Sequence, residues 1–439
     1  MITGGLLVTP DGQRSAEILM QEGQIAALLA PGSAPSGVAS ILDATGCLVL
    51  PGAIDPHVHF REPGFSAKED WEHGSLAAVA GGVTTVLDMP NTQPPTTTAA
   101  ALRDKVTLIA GRSRCHYGLY GMLWAQNAEE IEALAEAGAI GLKVFLGETT
   151  ASLPPPDDGQ LLGALRRTAA LGLRTAVHAE NGAILRAAAV AGDGLAAHGR
   201  SRPAVAEAEA VRRVCLLAEA TGAPILIVHV STAWAVDILR RVKAEGRVNV
   251  RVETCPHYLL LTEDEAAPMG AIAKVNPPLR SAEDRSALWE AIADGTVDQL
   301  GSDHAPHTPS EKECVGDLYR AAAGFAGVQT LVPLLLTEVV AGRLGIGRLV
   351  ELIAEGPARH WGLWPRKGRI APGADADLAI VRLCPPAVLP RPFSKNPRSP
   401  LSDRPVHAEI VATLVAGQLA YRDGHPVGAP TGQWQRPNA

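Results

Sequence analysis

The chain has 439 residues, 46% of them hydrophobic and 4% aromatic, with a formal net charge of −7. That length can bury one large core and a smaller one, which excludes a disordered or fibrous protein. The charges form no acidic or basic block, so neither nucleic acid nor a membrane surface is an expected partner, and small neutral or anionic metabolites remain.

The start, Met1-Ile-Thr-Gly-Gly-Leu-Leu-Val-Thr-Pro10, lacks the basic lead and long apolar core of a secretory signal, and no apolar run approaches a membrane span. Residues 1–50 hold short alternating segments, such as 16–20 and 24–29, broken by glycine and proline, which predict part of a small β domain. From 51 to 360 apolar β runs alternate with alanine-rich helical stretches. Eight strands are predicted there, at 50–59, 83–88, 116–122, 140–146, 174–178, 225–230, 249–254 and 298–302. That pattern is α/β and matches a closed (β/α)8 TIM-like barrel. Residues 361–439 return to strand-like segments at 373–381 and 407–415, so both termini are expected to combine into one small β-sandwich domain beside the barrel. The six cysteines show no CxxC spacing, which makes a reducing cytoplasm the expected compartment.

Barrels of this kind place chemistry at the C-terminal ends of their strands. Here His59, Asp88, Lys143, His178, His229 and Asp303 each end an apolar run. His57 and His59, two apart on a strand, project to one face and can share a metal ion. With His178, His229 and Asp303 they exceed what one tetrahedral ion needs, and so suit two adjacent divalent cations. Zinc fits these donors, as do cobalt and manganese. Two cations need an anionic bridge, and Lys143 stands on the strand that could supply it. A lysine amine kept neutral beside cations can add carbon dioxide and become a carbamate with two oxygen ligands. The alternative is a Lys143 that reaches for solvent.

Arg61 shares the strand-face parity of His59 and can clamp a carboxylate. Asp303 can take the proton of an attacking hydroxide and return it to a departing nitrogen. His73, His116, His198, His360, His407 and His425 have no partner pattern and read as structural or surface residues. Both readings stay open for His257, His304 and Cys255, while Asp88 reads as supporting. Asp157 and Asp158 follow three prolines outside any strand and read as a solvated loop.

Taken in order, these residues resemble the amidohydrolase superfamily, and the segments His59-Phe-Arg-Glu-Pro-Gly64, Asp88-Met-Pro-Asn-Thr92, Lys274-Val-Asn-Pro-Pro-Leu-Arg280 and Ser302-Asp-His-Ala-Pro-His307 resemble the larger, multi-motif dihydroorotases. The resemblance implies that His57 and His59 bind a first ion, completed by Asp303. It implies that His178 and His229 bind a second and that a carboxylated Lys143 joins the two. Arg61, Asn91 and His307 would hold a substrate carboxylate, Asn276 the ring amide edge, and Thr149 would touch substrate from a closing loop at 147–153, unless that loop is a plain connection. Reversible hydrolysis of L-dihydroorotate to N-carbamoyl-L-aspartate, in pyrimidine biosynthesis, is the expected activity, in a homo-oligomer that could associate with aspartate carbamoyltransferase. The alternative is an allantoinase or other cyclic-ureide hydrolase. Allantoinases share Arg-Glu-Pro-Gly but usually differ at the positions of Asn91, Asn276 and His307. A non-catalytic scaffold homologue is disfavoured because every ligand position is filled.

Overall fold

Burial on both faces decides the middle of the chain. In a computed structural model, which describes residues 1–147, 153–190, 194–313, 318, 320–389 and 392–437, eight strands run in sequence order around one sheet. They are β1 (Ala53–Val58), β2 (Val83–Asp88), β3 (His116–Leu123), β4 (Gly141–Phe145), β5 (Thr175–His178), β6 (Ile225–Ile227), β7 (Val250–Thr254) and β8 (Gln299–Leu300). Each pairs in parallel with its neighbour, and a parallel bridge from Val58 to His304 joins the first strand to the chain just past the last. All residues of β1, β2 and β3 are buried, so these strands read as unbroken apolar runs instead of alternating ones.

Helices cover the outside, and their starts are set by short polar side chains. Asp70, Thr98, Thr232 and Ser281 each accept a backbone N–H from the first turn of the helix that follows. Asp157 does the same for helix Asp158–Leu171, in a reciprocal box with Gln160, and Asp158 pairs with Arg213 of the neighbouring helix Ala204–Thr221. These two aspartates are thus a helix cap and an outer ion pair.

The floor of the barrel is a separate apolar cluster containing Ile54, Leu87, Tyr120, Ile140, Ala176 and Leu226, closed by Trp361. The Tyr120 and Trp361 rings meet edge to face at 5.0 Å, and the Tyr120 hydroxyl donates to the Pro56 carbonyl at 2.9 Å. This plug lies among the barrel strands and keeps the chemistry at one end.

The β domain forms from both termini, as expected. A seven-stranded sheet joins Leu6–Thr9 and Leu48–Pro51 to the late strands Leu378–Ala387 and Val406–Val415, and a four-stranded sheet is built wholly from the first part of the chain. Leu7, Ile18, Val49, Leu378 and Leu414 fill a core they share. The run predicted as one strand at 50–59 divides in two: Leu48–Pro51 belongs to this domain, and β1 starts after Gly52. A Cβ at Gly52 would lie 2.2 Å from the Thr84 hydroxyl oxygen, so only glycine lets the chain pass between the sheets there. No helix among the described residues is long and apolar enough to cross a membrane.

A buried ionic chain ties the two parts together. The Lys367 ammonium donates to Asp375 at 2.9 Å and to Asp377 at 2.6 Å, and Asp377 faces His116 Nε2, at the start of β3, across 3.3 Å. Burial alone would raise the Asp377 carboxyl, but Lys367 and His116 hold it far below the ordinary carboxylate range. Replacing Lys367 with Ala leaves that charge unpaired and is expected to destabilise the protein by about 3–5 kcal/mol in urea unfolding. Because the folded-state value is depressed, the stabilisation is complete above the unfolded value of about 4 and is lost as pH falls below it. The gap between wild type and Lys367→Ala should therefore narrow in acid unfolding curves.

Candidate active site

At the C-terminal ends of the barrel strands lies a cavity of ≈ 220 Å³ whose wall includes His57, His59, Lys143, His178, His229 and Asp303. The Asp303 Oδ1 oxygen is 3.3 Å from His57 Nε2 and 3.3 Å from His59 Nε2, and these three ligand atoms form one compact cluster. Across from them His178 Nδ1 faces His229 Nε2 at 2.9 Å.

Three of the four imidazoles are aimed by what their other nitrogen touches. His57 Nδ1 lies 2.7 Å from Glu253, His59 Nδ1 2.9 Å from the Asn91 amide oxygen, and His178 Nε2 2.7 Å from Glu180. Each partner is an acceptor, so it fixes the ring hydrogen on that side and turns the bare nitrogen inward, the arrangement found around metal-binding histidines. The donor set therefore fits divalent ions. Glu253 is itself anchored by the Gln299 amide at 2.8 Å, and Glu180 by a fork of hydrogen bonds from Arg202. Glu253, Glu180 and Arg202 carry no role in the sequence reading. Glu180 does stand two residues beyond His178 on the same strand-face parity, the one signal that could have singled it out.

Burial controls the electrostatics. It pushes His57 down to about 3 and holds His59 and His229 well below the ordinary imidazole value, so these rings are neutral and free to donate lone pairs. Burial likewise lowers the Lys143 amine to about 8, against the pull of Asp303 and Glu253. Arg61, His229 and Asp303 all have left-handed backbones, with φ of 64°, 40° and 48°. Such strain in residues other than glycine collects at working sites.

Arg61, Asn91 and Asn276 line the same cavity, while His307 stands behind Arg61. The Arg61 guanidinium gives Nε to the Pro306 carbonyl at 3.3 Å and Nη2 to His307 Nε2 at 3.1 Å. Burial lowers it only to about 10, so it stays cationic. Asn276 Oδ1 is buried without a hydrogen-bond donor among the described residues. Thr149 lies outside the described residues. Of the open cases, His304 is structural: its Nδ1 accepts the N–H groups of Gly327 and Val328 and its Nε2 faces Glu69. Asp88 accepts from the Phe60 N–H at 2.8 Å and from Lys105 at 2.5 Å and supports the β1 end. His257 is buried, its Nε2 has no hydrogen-bond partner among the described residues, and its ring packs on Phe325 at 5.1 Å.

Residues 48–420 match the model of the amidohydrolase family. The chain belongs to that family. It is 37% identical over 447 residues to an allantoinase of Deinococcus radiodurans, covering 100% of this chain and 99% of the relative. A dihydroorotase of Pelobacter propionicus is 35% identical over 434 residues, covering 96% of this chain and 99% of that one. Among solved structures, an L-hydantoinase (dihydropyrimidinase) from Arthrobacter aurescens superposes with a TM-score of 0.95 at 35% identity, covering 99% of this chain and 98% of the other.

These likenesses correct the expectation of dihydroorotase activity. Further allantoinases match at a similar level, and these relatives and the L-hydantoinase do not support dihydroorotase as the activity of this amidohydrolase. Asn91 Oδ1 accepts from His59 Nδ1, and His307 Nε2 lies 3.1 Å from both Arg61 Nη2 and the Ala323 carbonyl, so each touches another site residue. Replacing Glu253 with Ala frees His57 to rotate, and divalent-ion affinity measured by metal titration should fall about 10- to 100-fold with little change in circular dichroism.

Proposed function

We propose that this amidohydrolase opens the ring of a cyclic ureide, with allantoin as substrate. The observation that carries the reading is the pairing, in one cavity, of an inward-facing imidazole and carboxylate cluster with the donor-less oxygen of Asn276. A buried acceptor without a partner costs about 1–3 kcal/mol, and the ring N–H of a ureide would satisfy it. That acceptor suits the N–H of any cyclic amide, and the choice of allantoin among them rests on the allantoinase relatives.

In this reading His57, His59 and Asp303 would hold one divalent ion and His178 and His229 another, Lys143 would serve both as a carbamate, and zinc is a metal that suits these donors. Such ions, when bound, supply Lewis acidity and a hydroxide near neutral pH. Asp303 is the proton carrier. Its Oδ1 faces the two imidazoles, which leaves Oδ2 to take the proton of the attacking oxygen and deliver it to the leaving ring nitrogen. Asn276 Oδ1 accepts the ring N–H and Arg61 donates to a ring carbonyl, so the scissile amide is presented in one orientation. Asn91 keeps His59 turned inward and His307 steadies Arg61.

A second reading, hydrolysis of substituted hydantoins, is favoured by the superposition on the L-hydantoinase. Turnover of allantoin, substituted hydantoins and L-dihydroorotate by one metal-analysed preparation separates the possibilities. Allantoin should be opened with the highest kcat/KM, and a preparation that opens only hydantoins would overturn the allantoin assignment. Asp303→Asn should cut kcat by about 10²- to 10⁴-fold while KM moves little. Lys143→Ala should lose both metal and rate, with partial recovery in added short carboxylic acids; full metal content in this variant would remove the bridge.

A further inference from the structure

Arg202 follows the helix Leu195–Ser201 and reaches the cavity. Its guanidinium forks onto Glu180, with Nε donating to Oε1 at 3.0 Å and Nη2 donating to Oε2. That fork uses two of the five N–H donors of the planar group. Nη1, on the other edge, has no hydrogen-bond partner among the described residues, and the Arg202 side chain is 16% exposed where Glu180 is 0%.

The residue is also held from behind. The Arg202 carbonyl accepts from Arg280 Nη1 at 2.6 Å, and Arg280 Nε donates to the Ser231 hydroxyl at 3.2 Å. With its backbone and one edge fixed, the guanidinium needs little further ordering to present its free edge. A cationic edge with spare donors at a cavity wall recognises an acceptor oxygen. The ring itself already has partners in Asn276 and Arg61, so the acceptor left for Arg202 is one outside the ring.

We propose that Arg202 is a specificity-determining residue whose Nη1 edge binds an acceptor oxygen on the substituent that the ureide ring carries, such as the ureido carbonyl of allantoin. The assignment rests on the cyclic-ureide reading above. It gives one guanidinium two duties: it grips the substrate's tail on one edge and, on the other, the carboxylate that orients His178.

The test compares the metal-loaded wild type with Arg202→Lys and Arg202→Gln on two substrate classes. Allantoin and hydantoin acetic acid carry an outer acceptor; hydantoin and methylhydantoin do not. Both classes lose together whatever the fork on Glu180 supplies, so the readout is the difference between them: KM for the first class should rise about 10- to 100-fold more than KM for the second, the scale of one charge-assisted hydrogen bond. Metal content is read on the same samples. Glu180→Gln serves as the comparison: it should lower metal content and slow both classes alike. Equal losses in both classes for the Arg202 variants would overturn the proposal, since Arg202 would then act only through Glu180 and His178; so would no loss at all. Arg202→Lys keeps a charge against Glu180 and gives the comparison if Arg202→Gln does not fold. A wild type that opens hydantoins but not allantoin overturns the allantoin assignment alone, because the ratio between hydantoin acetic acid and methylhydantoin still decides Arg202. A wild type that opens none of the four overturns both.

Discussion

The candidate site depends on one constraint: imidazoles gathered in a buried space must all turn their bare nitrogens inward. Left free, such rings would rotate to pair with one another or with water. Glu253, Asn91 and Glu180 limit this by accepting the outward ring hydrogen of His57, His59 and His178, while His178 Nδ1 and His229 Nε2 face each other at 2.9 Å. Burial then keeps the rings neutral, since a charged imidazole could be neither solvated nor a ligand there. The strained backbones at His229 and Asp303 persist because strand ends on either side leave them no other course.

This constraint is propagated outward through the fold. Glu253 is set by Gln299 of the neighbouring strand, Glu180 by Arg202, and Arg202 by Arg280. The apolar floor around Tyr120 and Trp361 fills the other end of the barrel. The polar network therefore has one open side, the one from which substrate enters.

Much of this was legible in the sequence for a physical reason. Parallel strands buried on both faces leave continuous apolar runs, and the barrel places its reactive residues where those runs stop, so all eight strands and the cluster of His57, His59, Lys143, His178, His229 and Asp303 stand out together. What aims them does not stand out. Glu253 and Arg202 are single polar residues whose partners lie far along the chain, and no local periodicity connects Glu253 to His57 or Arg202 to Glu180. Substrate identity was least legible. Asn91 and His307 lie against His59 and Arg61, so residues read as carboxylate holders also support the site, and no spacing along the chain separates the two duties.

The passage at Gly52 has a consequence for how the molecule can come apart. The strand before it is hydrogen-bonded between Leu6–Thr9 and Leu378–Ala387, which come from opposite ends of the chain, and the strand after it carries His57. The first barrel strand is thus moored to a sheet that cannot be completed until the last part of the chain has been made. The barrel is not a module that could be cut free of its flanking domain, and the loop closure that joins the two ends is an entropic hurdle that assembly of the catalytic end must share.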